Sequence, residues 1–448
     1  NGENFTNGSK VDLTNPVTFT VKASGKTEEW KVNTPVLCNN TVLNGQFADP
    51  DIDYFDGKFW IYPTTDGFSG WSGYQFRAFS SEDLVNWTDE GTILDLKANA
   101  VYLNENGVEV CVPSWATGGS AWAPTIEKKN GNYYFYYCGK KSNGESAIGV
   151  AVASSPAGPF EDLGQPLIQV NDVKAAGCSI GQAIDPSIFT EDDGTSYILF
   201  GNGSGAGVIA RLSEDMMSIV PADNGKMFTQ ITGLTEFRES VVVTKVNGKY
   251  HWTWSCDDAN SPNYHVNYAM TDSLFKADGT CSVSNVKKNF LAKNEELQIL
   301  GSAHQSMVSI VDEAGASHTY MAYHRFYTPT GIFTSNDGLG VHRETCVDEV
   351  TFNTDGTMSI VPTLEGVGAV KVDAAKSEPK FGGTSAGGED VSEKLQRQID
   401  VTAASLKVNG TDDVRGNLTL PSEGSLYKNV KISWKSSNSS VLSDTEVN

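Results

Sequence analysis

The chain has 448 residues, 39% hydrophobic and 10% aromatic, with 55 acidic against 33 basic side chains and a net charge of −22. That is enough apolar material for one large core and a smaller module. The charge excludes a basic face for nucleic acid or an anionic membrane and suits a neutral partner such as a polysaccharide, although acidity alone also keeps a surface soluble.

No apolar run is long enough to span a bilayer. The first residue is Asn1 rather than Met, so any signal peptide is already removed, which agrees with a secreted or cell-surface protein. Seven cysteines, widely spaced and without a CxxC pair, argue against a disulfide framework or a zinc cluster, while one or two bridges stay open.

In chain order, residues 17–23 (VTFTVKA) and 28–32 flank Ser24-Gly25-Lys26 and predict a β-hairpin, taken as the tail of an upstream β-module over 1–34. Residues 35–373 carry an internal repeat. Five times a glycine turn precedes an aromatic-rich strand: Gly57 with KFWIY, Gly131 with NYYFYY, Gly194 with TSYILF, Gly248 with KYHWTW and Gly315 with ASHTYMAY. The turns lie 74, 63, 54 and 67 residues apart, room for one four-stranded unit each. Five such units with few helical stretches predict an all-β fold, a five-bladed propeller, in preference to a sandwich. The glycine- and serine-rich stretch inside 374–400 reads as a linker. A helix over about 390–404 and strands at 417–420 and 430–434 then predict a partial immunoglobulin-like β-module over 401–448, and the chain reads as a piece of a longer modular protein with further domains.

Just before each turn glycine lies the strand that a propeller places innermost: Phe47–Ile52, Ala121–Ile126, Ala183–Ile188, Phe237–Val242 and Ser302–Met307. Asp49, Asp185 and Glu239 precede their glycines by 8, 9 and 9 residues, Trp122 by 9 and His304 by 11. Read as equivalent places, they converge on one end of the axis and bring three carboxyl groups into one pocket. An Asp before Pro is by itself a common turn residue, and a lone Glu at a strand entrance is commonly solvated. Three carboxyls crowded at one axis have no structural purpose, because like charges repel there. Acid–base chemistry uses that crowding to hold one carboxyl protonated and another ionised.

The segments FADPDI, SAWAPTI, AIDPSIF, FRESVVVTKVNGKYHWTWS, GSAHQSMV and HRETCVDEVTF together resemble family 43 of the glycoside hydrolases, five-bladed propellers that cleave arabinose- and xylose-containing glycans with inversion. The resemblance implies Asp49 as general base, Glu239 as general acid and Asp185 as the carboxylate that raises the pKa of the acid. One departure is local: Ser240-Val241 stands where many relatives have Gly-Pro. The resemblance also implies that Trp122 stacks on sugar, a core aromatic being the alternative. It gives Arg343 a fork for sugar hydroxyls or an acidic group, a surface ion pair being the alternative. His304 matches a histidine that touches a water-coordinated ion, often a structural calcium at the axis; a satisfied core histidine is the other reading, since calcium prefers oxygen. Phe68 and Trp71, in a glycine-rich loop, are candidate pocket rim.

These expectations add up to an inverting exo-α-L-arabinofuranosidase of plant polysaccharides with no cofactor required for catalysis. β-Xylosidase, endo-arabinanase and exo-galactanase stay open within the family. A fructan-cleaving propeller fits worse, because Ala48-Asp49-Pro50-Asp51 and Glu239-Ser240 depart from its motifs. A non-catalytic glycan-binding propeller is the non-enzyme alternative, against which the three retained carboxyls argue.

Overall fold

A computed structural model of the chain describes residues 17–32, 39–203, 207–328 and 338–379, with a few isolated positions beyond them. Four of the five turn glycines follow an Asp or Asn, and in three of these pairs, Asp56-Gly57, Asn130-Gly131 and Asn247-Gly248, both residues have positive φ. That is the two-residue hairpin turn whose twist matches the strands it joins. The turns at Gly194 and Gly315 are longer, each glycine donating back to a carbonyl three residues earlier, Glu191 and Asp312. Ser24-Gly25 closes the predicted N-terminal hairpin, Val17–Ala23 with Lys26–Val32, in the same two-residue way.

The hairpins extend into five antiparallel sheets around an axis, so the predicted five-bladed propeller is the fold. The first blade runs Phe47–Phe55, Lys58–Thr65, Gln75–Ser81 and Trp87–Asp95 outward from the axis. The second is built on Thr125–Lys129, Asn132–Lys140 and Ser146–Ala153, the third on Ser187–Thr190, Ser196–Phe200 and Val208–Leu212. The fourth comprises Phe237–Val246, Lys249–Cys256, His265–Thr271 and Lys287–Leu291. The fifth has three strands, Ala303–Val311, Ser317–Phe326 and Arg343–Glu349.

Residues 39–42 close the ring against that last strand. Val42 N donates to Thr345 O at 3.0 Å, Val347 N donates to Asn40 Oδ1 at 2.8 Å, and Asn40 Nδ2 reaches Asp348 Oδ2 at 3.0 Å. Aromatic and branched side chains of neighbouring blades fill the five wedges between them, with Tyr62, Phe76 and Phe135 in the first and Trp252 and Trp254 in the third. Each fully buried large side chain contributes about 1.5–3 kcal/mol by leaving water. The helix Ala374–Ser377 sits against the inner strand of the fifth blade, where Ser377 Oγ accepts from Val311 N.

The helix and strands expected over 390–404, 417–420 and 430–434 lie outside the described residues apart from isolated positions. Among the described residues no helix is long and apolar enough to cross a membrane. The six described cysteines are free buried thiols.

Candidate active site

Each inner strand enters the ring through one residue with left-handed backbone: Asp49, Ala123, Asp185, Ser240 and His304, with φ of 48°, 35°, 57°, 55° and 54°. In the first, fourth and fifth blades this residue sits at a bulge, where the register to the next strand slips. In the second and third it precedes Pro124 and Pro186, which have no N–H to pair, and the ladder begins only beyond them. The structurally equivalent set therefore contains Ala123 and Ser240. Trp122 and Glu239, expected at that place, stand one residue earlier, so the fourth blade projects its carboxyl from the strand segment just ahead of the bulge. All five left-handed residues line a small axial cavity.

Asp49 is 5% exposed and its Oδ1 is surrounded by nitrogen: Arg343 Nη1 at 2.8 Å, His324 Nδ1 at 3.0 Å and His304 Nδ1 at 3.2 Å. Burial pushes the Asp49 carboxyl up, but Arg343 and the two histidines together outweigh it and hold the group well below the usual carboxylate range. Arg343 is itself fixed from behind. Its backbone N and Nε both donate to Asp66 Oδ2 at 2.9 Å, and Nη2 reaches Asp66 Oδ1 at 3.3 Å. Asp66 is buried too, and burial outweighs Arg343 there, raising it to about 6. His324 is fully enclosed and kept neutral: burial first, then Arg343, lower it to about 3.

Asp185 and Glu239 form a second group. One carboxylate oxygen of each and a ring nitrogen of His304 lie within 4.8 Å of one another. Glu239 has donors on both oxygens: Tyr264 Oη to Oε1 at 2.6 Å and Asn202 Nδ2 to Oε2, with Arg238 Nε 3.7 Å from Oε2. Asp185 receives no such help. Its Oδ2 is buried without a hydrogen-bond partner, and its backbone N–H points to Cys138 Sγ at 3.2 Å. Burial, then the charges of Glu239 and Asp49, push Asp185 well above its ordinary value, against Arg343 and Arg238. The carboxyl expected to tune the acid, Asp185, is thus itself raised, with the charge of Glu239 as the second cause after burial.

The remaining predicted residues divide. Trp122 is half-buried, outside the wedge cores, with Nε1 donating to Trp71 O at 2.7 Å. Trp71 is anchored in turn through Nε1 to Gly340 O at 2.9 Å, and Phe68 is 37% exposed with its ring 6.1 Å from that of Tyr74. Arg343 is 3% exposed, so it is not a surface ion pair, and its side-chain nitrogens are spent on Asp49 and Asp66 rather than offered to sugar hydroxyls.

His304 stands at the axis with Asp185 and Glu239, the sole set of three such donors close enough for an ion among the described residues. It does not fit a directly ligated calcium, which takes 6–8 oxygens: the set supplies two carboxyls and an imidazole whose Nδ1 already faces Asp49. Asp66, His324, Tyr264 and Asn202 were not singled out from sequence. Each is a lone polar residue without a repeat partner, and their one signal was that Asp66 opens the glycine-rich loop and His324 lies in YHRF.

Comparison with known proteins places these residues in context. The family model described as glycosyl hydrolases family 43 matches residues 38–358. A β-D-galactofuranosidase of Aspergillus niger is 32% identical over 73% of this chain and 86% of its own length, and a xylosidase/arabinosidase of Bacteroides ovatus is 28% identical over 48% and 71%. The crystal structure of a Bacillus subtilis arabinoxylan arabinofuranohydrolase shares the fold, with a TM-score of 0.56 at 24% identity over 74% of this chain and 69% of that one.

Proposed function

This chain belongs to glycosyl hydrolase family 43, and on that premise we propose that it is an inverting, exo-acting α-L-arabinofuranosidase. The observation that carries the reading is the division of charge at the axis. Asp49 is held ionised by three nitrogen neighbours from the fifth blade, while burial and the charges of Glu239 and Asp49 make Asp185 retain a proton. An ionised carboxylate facing a protonated pair is what single displacement needs. Asp49 takes a proton from water as the water attacks the anomeric carbon. Glu239 delivers the pair's proton to the leaving oxygen, and Asp185 supplies the like charge that keeps that proton in the pair. Both proton transfers run through carboxyls, so bond cleavage needs no metal or organic cofactor. The substrates in view are arabinose-bearing plant polysaccharides met outside the cell, attacked at terminal residues.

A second reading has a specific observation behind it, the relative from Aspergillus niger named a β-D-galactofuranosidase. α-L-Arabinofuranose and β-D-galactofuranose share ring stereochemistry and differ by one exocyclic carbon, so one pocket discriminates them weakly. The test is a panel of nitrophenyl α-L-arabinofuranoside, β-D-galactofuranoside and β-D-xyloside, with proton NMR of the first-formed sugar before it mutarotates. Fastest release from the arabinofuranoside with an inverted product is the expected result. Asp49→Asn, Asp185→Asn and Glu239→Gln each lower that rate at least about 10²-fold. A retained anomer would remove Asp49 from the role of base acting through water.

A further inference from the structure

Five arginines lie among the described residues, and four of them hold a carboxylate at hydrogen-bond distance: Arg77 with Asp89 at 2.8 Å, Arg211 with Asp223 at 2.9 Å, Arg325 with Glu344 at 2.8 Å and Arg343 with Asp49 at 2.8 Å. Arg238 is the fifth. Its Nε stands 3.7 Å from Glu239 Oε2 and its Nη2 stands 3.4 Å from Asp258 Oδ2, both longer than a charge-assisted hydrogen bond. Nε is buried without a hydrogen-bond partner, while the side chain as a whole is 40% exposed. Of the five guanidinium groups, this one is the least committed, and it is the one beside the general acid.

The strand brings it there. Phe237 pairs with Cys256 and Glu239 with the very next residue, Ser255, so Arg238 is the extra residue of a bulge. In a regular strand neighbouring side chains point to opposite faces; the bulge breaks that alternation, and Arg238 comes alongside Glu239. Its backbone is fixed by Gly203 N, which donates to Arg238 O at 2.9 Å. Asp258 is fixed as well, with Oδ1 accepting from Asn260 N at 3.0 Å and a side chain 56% exposed. A general acid stands about 2.6–3.2 Å from the oxygen it protonates. An oxygen protonated from Glu239 Oε2 therefore lies within about 7 Å of Arg238 Nε, a span that one sugar residue covers.

We propose that Arg238 and Asp258 bind the leaving group, a neutral sugar of the glycan that carried the released residue, whose hydroxyls accept from the guanidinium and donate to the carboxylate. A fixed fork of donors next to an acceptor matches two neighbouring hydroxyls. The inference rests on the glycosidase reading and adds to it the residues that recognise the sugar left behind.

The experiment takes the faster-cleaved of arabinotriose and an arabinosylated xylotriose and compares it with methyl α-L-arabinofuranoside. Both substrates release an alkoxide that needs a proton from Glu239, but methanol offers no further hydroxyls to bind. Arg238→Met is expected to lower kcat/KM for the oligosaccharide about tenfold more than for the methyl glycoside. Arg238→Lys, which keeps the charge without the planar fork, should discriminate in the same direction to a smaller extent. Equal losses on both substrates, as an arginine acting only through Glu239 or only through the fold would produce, overturn the proposal. Calorimetry of arabinobiose and of xylotriose reads binding without turnover: weaker binding by Arg238→Met is expected, and binding that is absent from the wild type or equal in both proteins overturns the proposal. If no furanoside is cleaved, the furanosidase reading fails, and the calorimetry still decides the subsite.

Discussion

Asp185 and Glu239 show how two neighbouring carboxyls are told apart by their partners. Tyr264, Asn202 and Arg238 are gathered on Glu239, and none reaches Asp185 Oδ2. Asp185 therefore titrates against burial and the charge of Glu239, and its proton is lost above the ordinary carboxylate range. Loss of that proton sets the alkaline limb of the rate profile. Protonation of Asp49, held well below the usual range, sets the acid limb. Asp185→Asn deletes one of the two repelling charges while donors remain on Glu239, so the alkaline limb of the residual activity should move to lower pH. A pH series of kcat/KM checks it, and an unmoved limb would show that Asp185 does not tune the acid. The three carboxyls were legible in the sequence because the repeat sets each of them within a residue of the same place ahead of its turn. Asp66 was visible only as a loop residue, because its ion pair with Arg343 spans 277 residues and no local pattern announces it.

At the scale of the strand, the left-handed entry residue is the device that aims the site. A bulge adds one residue, bends the strand and turns the next side chain toward the axis. The expected alignment of Glu239 with Asp49 and Asp185 was wrong by one residue for this reason. Counting back from the glycine treats turns as equal, and the turns at Gly194 and Gly315 are longer than the other three. Counted to Ser240, the first, second and fourth blades all give 8 residues, from Asp49, Ala123 and Ser240 to Gly57, Gly131 and Gly248. The departure from Gly-Pro noted at Ser240-Val241 falls on this entry position, where φ is 55°. A β-branched side chain is poorly tolerated there. Ser240→Val should therefore cost about 1–2 kcal/mol in urea unfolding and also lower kcat by misaiming Glu239, whereas Ser240→Gly should retain both. Equal stability of the two variants would mean that the bulge relaxes freely.

Across the whole molecule, buried carboxyls set the response to pH. Burial is the chief cause that raises Asp51 and Glu127 to about 7 and Asp66 and Asp162 to about 6, and it carries Asp53 and Asp185 well above their ordinary value. A group whose folded pKa is raised binds its proton more tightly when folded, so its stabilisation is complete below about pH 4 and is lost as pH climbs through 6 to 7. His324, His251, Asp49 and surface carboxylates such as Asp83, Glu105 and Asp312 act in the opposite direction, with folded values below the unfolded ones, but the carboxylates among them titrate below the window from pH 5 to 8 and only the two histidines change within it. The melting temperature should be higher near pH 5 than near pH 8, by several degrees at roughly 2–4 °C per kcal/mol; a flat or rising curve by scanning calorimetry would contradict the assignment.

The clasp between residues 39–42 and the last strand carries a kinetic consequence. Arg343, His324 and His304 come from the fifth blade, and Arg343 meets Asp49 across 294 residues of chain. Contacts of such range form slowly, because closing a long loop costs entropy before the contact repays it. Until the first and fifth blades meet, the base lacks the cation that keeps it ionised. Turnover is thus a stopwatch for the final stitch: on refolding from urea, catalytic activity should never return ahead of tryptophan fluorescence, and weakening the stitch with Asn40→Ala should delay activity more than fluorescence.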